Sequence, residues 1–311
     1  MGFYVVGCFL NVIIKKETIN QKGGKVMIGS NQNELERDEK IDVLHSIPFF
    51  IVHAIGIVGP FFTGISKVAV VVALSLYFIR MFFVTGIGHR YFSHKSYRVM
   101  VCPKVTQGLM AFLFTTCVQK GAVWWASHHR HHHKHSDKPE DVHSRKLRGL
   151  YWSHIGWILC PKYHSTNEKL VGDLKKYPEL MFFERFHLLG PVVLAVLCAI
   201  LGLWLGPQWG TSWIQMLVVG FFTSTVLLWH GTFAINSFAH MIGSQRFNTG
   251  DESRNSFFLA ILTLGEGWHN NHHHAQNREA QALMWWEYPF DVTHCIIRIA
   301  ELAGFVQIKK R

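Results

Sequence analysis

Charged side chains are scarce in this chain. They make up 16% of its 311 residues, whereas soluble domains contain roughly 25%. Apolar residues reach 49%, phenylalanine alone contributes 24 residues, and the segment 191–239 contains no charged residue. This composition argues against an ordinary soluble domain and predicts a protein with much of its surface in lipid.

Other absences exclude further classes of protein. The six cysteines form no C-x-x-C pair, so neither a disulfide framework nor a zinc knuckle is expected. The glycine pairs at 86–88 and 265–267 are typical of helix ends and not of a phosphate loop. The formal charge is +11, but the basic residues lie between apolar stretches and form no recognisable nucleic-acid module. We therefore expect no nucleic-acid partner, and a basic face that contacts lipid headgroups or an acidic redox partner.

Four stretches are long enough to cross a hydrocarbon core, which takes about 20 apolar residues as a helix. They are residues 45–64, 67–88, 188–206 and 212–239. Gly206-Pro207 with Gly210 predicts a hairpin between the last two. The sequence thus predicts an all-α integral membrane protein with four transmembrane helices.

The loops predict the orientation of these spans. The links 61–67 and 206–212 hold one Lys between them, whereas residues 89–187 hold sixteen Lys or Arg. Positive residues favour the cytoplasmic side. We therefore expect cytoplasmic termini, and a cytosolic helical cap formed by residues 89–187 and 240–311.

Two segments fall outside this pattern. Residues 1–42 are predicted to be a polar, disordered leader before a membrane domain at 43–311, and Lys22-Gly-Gly-Lys25 suggests Met27 as the native start. The apolar segment 105–126 is expected to be an interfacial or re-entrant helix. A fifth span there would put the histidines that follow it on the opposite side of the membrane.

Histidine is the residue in excess, with 21 copies, and imidazole is the commonest metal ligand in proteins. The histidines cluster at four places: His89 with His94; His129 with His132 and His133; His240, four residues after Asn236; and His269 with His272 and His273. Positions i, i+3 and i+4 share one face of a helix, so the second and fourth clusters should each aim three imidazoles one way. His89 and His94 lie about 140° apart on an ideal helix, so they converge only if the helix ends or unwinds.

Nine imidazoles exceed the needs of one ion. Zinc sites take four ligands and rarely use histidine alone, whereas two irons could share nine and leave a position open for oxygen. Glu266 precedes His269 with the Glu-x-x-His spacing of soluble di-iron proteins. Soluble sites of that kind need further inward carboxylates, and the four predicted spans contain none, so we expect Glu266 to orient an imidazole and not to bind metal directly. His143 is expected to play a similar supporting part.

The remaining histidines have simpler interpretations. Seven are expected to be interfacial or structural: His45, His53, His154, His164, His187, His230 and His294. Four more are expected to be neighbours of the ligands: His128, His131, His135 and His274. The run 128–135 taken alone also fits a loose metal-scavenging tract.

At these clusters the sequence resembles the membrane fatty acid desaturases, of the stearoyl-CoA (acyl-CoA delta-9) type and its bacterial branch. The resemblance extends from about Leu44 to Val306. It rests on Thr85–His94, His129–His133, Trp152–Trp157, Asn236–His240 and Gly265–His273, with Thr249–Asn255 and Trp285–Glu287 closer to the bacterial branch. One such motif would be weak, but this ordered set is specific.

The resemblance implies a helical membrane protein with two irons held by the nine histidines, and with Asn236 touching a metal through water. It implies an oxygen-dependent fatty acyl desaturase of the bacterial inner membrane. Electrons would come from cytochrome b5 or from ferredoxin with its reductase. The substrate would be a fatty acyl-CoA or another acyl carrier, and the double bond would be cis, at delta-9.

The chain departs from the animal acyl-CoA enzymes at their CoA contacts. Ser127-His128 replace an Arg-Asp pair, and Pro161-Lys162 replace Arg-Lys, so only Lys162 carries over. The carrier therefore stays open between CoA, carrier protein and phospholipid. By the same resemblance, Trp124, Trp125 and Phe233 are candidates for lining the acyl tunnel.

Two alternative functions remain. A hydroxylase or alkane monooxygenase would share the metals and the oxygen chemistry, and the histidine clusters alone do not separate it from a desaturase. A metal transporter or sensor would need ligands inside the spans. Residues 191–239 offer His230 and a few hydroxyls and amides.

Overall fold

A computed structural model describes residues 39–309 of the chain. Most of the predicted leader, and the proposed start at Met27, lie outside these residues. Within the described part of the leader, the Glu39 carboxylate accepts hydrogen bonds from Arg148 and from the Tyr163 hydroxyl. The sequence directly before the first helix is therefore attached to the rest of the protein.

The described chain is mostly helical. Its α-helices and β-strands are, in order, α1 Ile47–Thr63, α2 Lys67–Phe82, β1 Tyr97–Val99, α3 Pro103–Thr115, α4 Ala122–His135, α5 Arg145–His154, α6 Gly172–Lys175, α7 Pro178–Arg185, α8 Leu189–Trp209, α9 Trp213–Gln215, α10 Ser224–Ser237, α11 Phe257–Leu262, α12 His269–His274, α13 Val292–Leu302 and β2 Val306–Ile308. Two π-helices, Phe83–Ser93 and Met216–Thr223, continue α2 and precede α10. Short 3₁₀ turns are Gly156–Leu159, Pro161–Tyr163, Glu168–Leu170, Phe238–His240 and Tyr288–Phe290.

Three continuous helical stretches are long and apolar enough to cross a membrane: Lys67–Ser93, Leu189–Gly206 and Trp213–His240. The stretch predicted at 45–64 forms α1, which is apolar but has only 17 residues. α1 packs closely on the π-helix Met216–Thr223, since a Cβ added at Gly56 would come within 2.9 Å of the Phe222 carbonyl oxygen. Small residues permit such close helix contacts in membranes.

Two boundaries differ from those predicted. The hairpin between the last two spans turns at Gly210, which adopts φ 64°, because α8 continues through Gly206 to Trp209. The segment 105–126 is not one helix. α3 ends at Thr115, the backbone reverses through Val118 and Lys120 with positive φ, and α4 begins at Ala122.

The all-α prediction also missed a small sheet. β1 and β2 pair antiparallel, with Tyr97 opposite Ile308 and Val99 opposite Val306. This pairing attaches the end of the described chain to the segment that directly follows His94. Each strand alternates apolar and polar residues over only three positions, Tyr-Arg-Val and Val-Gln-Ile, and so short an alternation gives little sequence signal.

Arg80 is a buried charge in a spanning helix that the sequence analysis did not single out. It is 1% exposed and donates hydrogen bonds to the hydroxyls of Ser224 and Thr225 and to the carbonyl of Thr116. Buried charges in membrane proteins face the protein interior and find polar partners. Arg80 thereby connects α2, the start of α10 and the turn after α3.

Candidate metal centre

The nine histidines predicted as ligands converge in two groups, and within each group the ligand nitrogens lie within 4.8 Å of one another. The five-histidine group is His89, His94, His129, His133 and His272. The four-histidine group is His132, His240, His269 and His273.

The nitrogens approach as metal ligands do. Nε2 of His272 lies 3.0 Å from Nε2 of His89 and 2.9 Å from Nε2 of His133. In the four-histidine group, Nε2 of His240 lies 3.1 Å from Nε2 of His269. Two imidazole nitrogens at about 2.1 Å from one ion and at right angles lie roughly 3.0 Å apart. The spacing is therefore that of neighbouring corners of a coordination shell.

Three buried nitrogens in the four-histidine group have no hydrogen-bond partner. They are Nε2 of His132, Nε2 of His273 and Nδ1 of His269. A buried polar atom without a partner is costly, and a bound ion is one common explanation. An ion at the centre of this group would satisfy Nε2 of His132 and Nε2 of His273.

The π-helix brings His89 and His94, which are five residues apart, toward the same side of the chain. The amide of His94 donates to the carbonyl oxygen of His89 at 3.0 Å, which is the i to i+5 bond of a π-helix. Positions five apart then lie nearly above one another. The helix widens and then ends at Ser93, directly before His94, so the predicted departure from an ideal α-helix is confirmed.

Helices α4 and α12 each contribute to both groups, whereas the sequence analysis expected each cluster to aim one way. His129 and His133 belong to the five-histidine group, and His132 belongs to the other. On α12, His272 belongs to the first group while its neighbour His273 belongs to the second. Each helix therefore lies between the two sites.

The asparagines between the α12 histidines hold that helix in place. The Asn270 side-chain oxygen accepts the backbone N–H groups of Arg246 and Phe247. The Asn271 amide donates to the Gln281 carbonyl oxygen and to Glu287. Both asparagines are at most 1% exposed. Side chains on one face of α12 thus fix the orientation of the histidines on its other face.

Three aspartates support the four-histidine group. Nδ1 of His132 donates to Asp141 at 3.0 Å, Nδ1 of His240 to Asp137 at 3.3 Å, and Nδ1 of His273 to Asp251 at 2.6 Å. Such bonds fix the tautomer that leaves Nε2 free for metal.

The same contacts act on the acidity of the aspartates. Burial alone would raise the pKa of the Asp251 carboxyl, but the His273 hydrogen bond and the charge interaction with that ring hold this pKa well below its usual range. His132 has the same effect on the pKa of Asp141, and His240 on that of Asp137. All three side chains are therefore carboxylates at neutral pH.

Glu266 plays the corresponding part in the five-histidine group. Its carboxylate lies 2.7 Å from Nδ1 of His89. Burial would raise the pKa of Glu266, but His89 and Arg90 lower it. Arg90 is 1% exposed and also pairs with Asp291 at 2.7 Å and with Glu279 at 3.3 Å. The sequence analysis singled out Glu266 but missed Arg90.

Of the other histidines, His143 contacts the four-histidine group, and three more form a separate row. His143 lies over the His132 ring, with centroids 4.3 Å apart, and its backbone N–H donates to Asp141. His53, His230 and His154 contact one another in series, at 3.2 and 3.0 Å. These three histidines lie outside the five-histidine and four-histidine groups, which agrees with the prediction that they are interfacial or structural.

A cavity lies between the two histidine groups and the spanning helices. Histidines of both groups contribute to its wall, together with Met81, Val84, Trp125, Thr232, Ile235 and Asn236. The Trp125 ring stacks on His129 with centroids 5.0 Å apart. The arrangement places an apolar pocket directly beside the candidate metals.

The other predicted substrate residues do not line this cavity. Trp124 stacks on Trp157, and its indole N–H donates to the Tyr163 carbonyl oxygen. The Phe233 ring packs against His154, with centroids 5.8 Å apart. Lys162 lies 3.7 Å from Glu39.

Asp137, Asp141 and Asp251 were not predicted as part of the site. A sequence signal exists for the first two, which follow the histidine run within six residues of His135. Asp251 lies in the segment Thr249–Asn255, which the resemblance included without a role. Its partner His273 is 22 residues away along the chain, so only the tertiary structure reveals the contact.

Comparison with known proteins gives a consistent family. The sequence profile described as "Fatty acid desaturase" matches residues 65–290. The sn-2 palmitoyl-lipid 9-desaturase of Nostoc sp. (strain 36) is 33% identical over 264 residues, covering 83% of this chain and 87% of that protein. The sn-1 stearoyl-lipid 9-desaturase of Anabaena variabilis is 32% identical over 262 residues, covering 82% and 89%. The icosanoyl-CoA 5-desaturase of Limnanthes douglasii is 31% identical over 273 residues, covering 85% and 70%.

All nine converging histidines fall within the matched residues. The profile covers more than half of the chain, and the relatives align over most of their own length. The chain therefore belongs to the fatty acid desaturase family, and it is an oxidoreductase that desaturates a fatty acyl chain.

Proposed function

We propose that each histidine group holds one iron ion, and that this desaturase uses molecular oxygen to introduce a cis double bond at the delta-9 position of a saturated acyl chain. The convergence of nine imidazoles in two neighbouring groups is the observation that supports it. Imidazole suits iron, and a five-ligand group exceeds the four ligands of a structural zinc site. When bound, the irons supply the activation of oxygen that removal of two hydrogens requires.

The protein's own residues would position the substrate and exclude water. The cavity lined by Met81, Val84 and Ile235 offers an apolar wall to an acyl chain. Trp125, stacked on His129, would hold the chain beside the five-histidine group. Asn236 reaches the same cavity, where its amide could bind a water molecule beside the four-histidine group.

We propose a glycerolipid as the acyl carrier. Ser127 is fully buried and bonds the Trp124 carbonyl oxygen, and the His128 ring contacts the Ser165 carbonyl oxygen. Lys162 is paired with Glu39. None of these three side chains offers a free cation to a CoA phosphate. The names of the Nostoc and Anabaena relatives, both acyl-lipid 9-desaturases, favour the same choice.

We further propose four membrane spans, with α1 as the first. Its 17 residues extend about 25 Å, which is at the short end of the range for a spanning helix. The termini and metal centre would then lie on the cytoplasmic side of a bacterial inner membrane. A soluble one-electron carrier, ferredoxin or cytochrome b5 with its reductase, could reach the centre from there.

Expression in a bacterial host that lacks unsaturated fatty acids tests the proposal. Mass spectrometry of the lipids should show delta-9 cis-monounsaturated chains, and cells carrying His272→Ala should show none. In isolated membranes with acyl exchange blocked, labelled phospholipid should give product while labelled stearoyl-CoA does not. Hydroxylated chains in place of unsaturated ones would support the hydroxylase alternative and contradict the proposal.

A further inference from the structure

The two histidine groups differ in their burial. All four histidines of the second group are buried, whereas His94, His129 and His133 of the first are partly exposed. A shallow polar depression reaches His94 and His133 from the surface, with Arg130 and Lys134 in its lining. The five-histidine site is thus the one closer to solvent.

The groups also differ in the carboxylates that contact their imidazoles. The ion pairs formed by Asp137, Asp141 and Asp251 are with the ligand histidines themselves. Asp137 also accepts from the Ser144 hydroxyl and Asp251 from the Thr249 hydroxyl, while Arg148 donates to the backbone carbonyl of Asp141. Three of the four imidazoles at the buried site therefore donate to a carboxylate.

Glu266 is the carboxylate that contacts a ligand imidazole at the five-histidine site. It lies 2.7 Å from Nδ1 of His89, and the Arg90 guanidinium lies 3.2 Å from its other oxygen. The same guanidinium also pairs with Asp291 and Glu279, so its positive charge is shared among three carboxylates.

We propose, on the basis of the two irons of the proposed function, that Asp137, Asp141 and Asp251 are positioning residues that give the four-histidine site the lower reduction potential. A carboxylate that accepts the Nδ1 proton makes its imidazole a stronger donor. Carboxylate charge next to the ligands of a buried, low-dielectric site favours the ferric over the ferrous ion. The first electron from the one-electron carrier therefore reduces the ferric ion of the five-histidine site, and the second electron reduces the other ion.

A redox titration of purified protein loaded with ⁵⁷Fe, followed by EPR and Mössbauer spectroscopy, tests this order. The unaltered protein should be reduced in two one-electron steps, with a mixed-valence species between them. Asp251→Asn keeps the size and an acceptor oxygen but removes the charge. Asp251→Asn should raise the lower of the two reduction potentials. The difference between the two potentials should then narrow by at least about 59 mV, the equivalent of a tenfold change in the equilibrium constant for one electron.

Glu266→Gln is the matched control, because it removes one carboxylate from the other site. It should raise the upper potential and widen the gap, so the two variants assign each potential to its site. Asp137→Asn provides a second test should Asp251→Asn fail to fold. An aspartate variant that shifts the upper potential, or neither potential, overturns the inference.

The outcome also separates this inference from the proposed function. Fewer than two irons in the active, unaltered protein would contradict the proposed function itself. Two irons that are reduced together in one two-electron step would overturn only the inequality of the sites.

Discussion

The backbone amide of His94 donates to the carbonyl oxygen of His89 at 3.0 Å across the end of a π-helix, so the rings of two histidines five residues apart lie with centroids 4.7 Å apart. In an α-helix the same spacing would separate them widely. π-Helical turns occur mainly at functional sites. Here the wider helix brings both imidazoles into the five-histidine group.

The fit of this π-helix depends on Gly88. A Cβ added at Gly88 would lie 2.3 Å from the Phe114 ring, a buried side chain of α3. Gly88→Ala should therefore displace His89 and reduce both activity and the iron content of the five-histidine site, measured by Mössbauer spectroscopy. Gly172→Ala is the control, because nothing lies within 4 Å of its added Cβ. A Gly88→Ala protein with two irons and full activity would show that the helix is not held this tightly.

A second prediction compares neighbours on α12. His272→Ala removes a ligand nitrogen and should lower activity more than about 100-fold, since even outer partners of metal ligands are worth 10–100-fold. His274 is exposed and stacks on Phe247 at 3.8 Å, outside both groups. His274→Ala should keep both irons and nearly full activity.

The same comparison can be made on α4. His133 belongs to the five-histidine group, whereas the His131 ring bonds the Glu140 carbonyl oxygen. His133→Ala should be inactive and His131→Ala active, in membrane assays of desaturated product. Equal activity in the two proteins would remove His133 from the ligand set.

A third prediction concerns the acyl pocket. Ile235 lines the cavity, whereas Phe233 packs against His154 outside it. Ile235→Phe should narrow the pocket and lower the rate on long chains, with both irons retained. Phe233→Ala should change chain-length preference less. Kinetics over several chain lengths measure both effects, and a larger change from Phe233→Ala would favour the sequence-based hypothesis that this residue lines the tunnel.

Much of this site could be predicted from the sequence, because spacing along a helix is a local property. Runs of apolar residues predicted the long helices to within a few residues of their observed bounds. The histidine spacings identified all nine residues that converge. Glu266 was identified as a partner of an imidazole because of its position before His269.

The remaining features depend on contacts between distant segments. The assignment of His132 and His133 to different groups follows from where α4 lies between the two sites, which no local pattern encodes. The contact of Arg90 with Asp291 joins residues 201 positions apart. Helix α8 extends past its predicted end at Gly206 to Trp209, which shows that an apolar helix can continue past a Gly-Pro pair.

A fourth prediction concerns metal removal. Imidazole nitrogens crowded at about 3 Å lose their common partner when the metal is absent, so protein dialysed against a chelator should unfold at a lower temperature. Ligand at 100 times its dissociation constant adds about 2.7 kcal/mol of stability. Adding Fe²⁺ should return the midpoint temperature of unfolding of the unaltered protein to its original value. For His272→Ala, the same addition should raise the midpoint temperature by a smaller amount. Identical midpoints with and without metal would argue against a built metal site.

The most direct test of the central claim is the iron content of active, purified protein, measured by inductively coupled plasma mass spectrometry against a quantitative amino-acid analysis. Two irons per chain, falling to about one in His272→Ala, is the expected result. Active enzyme with one iron or none, or with zinc in its place, would contradict the assignment of the two histidine groups.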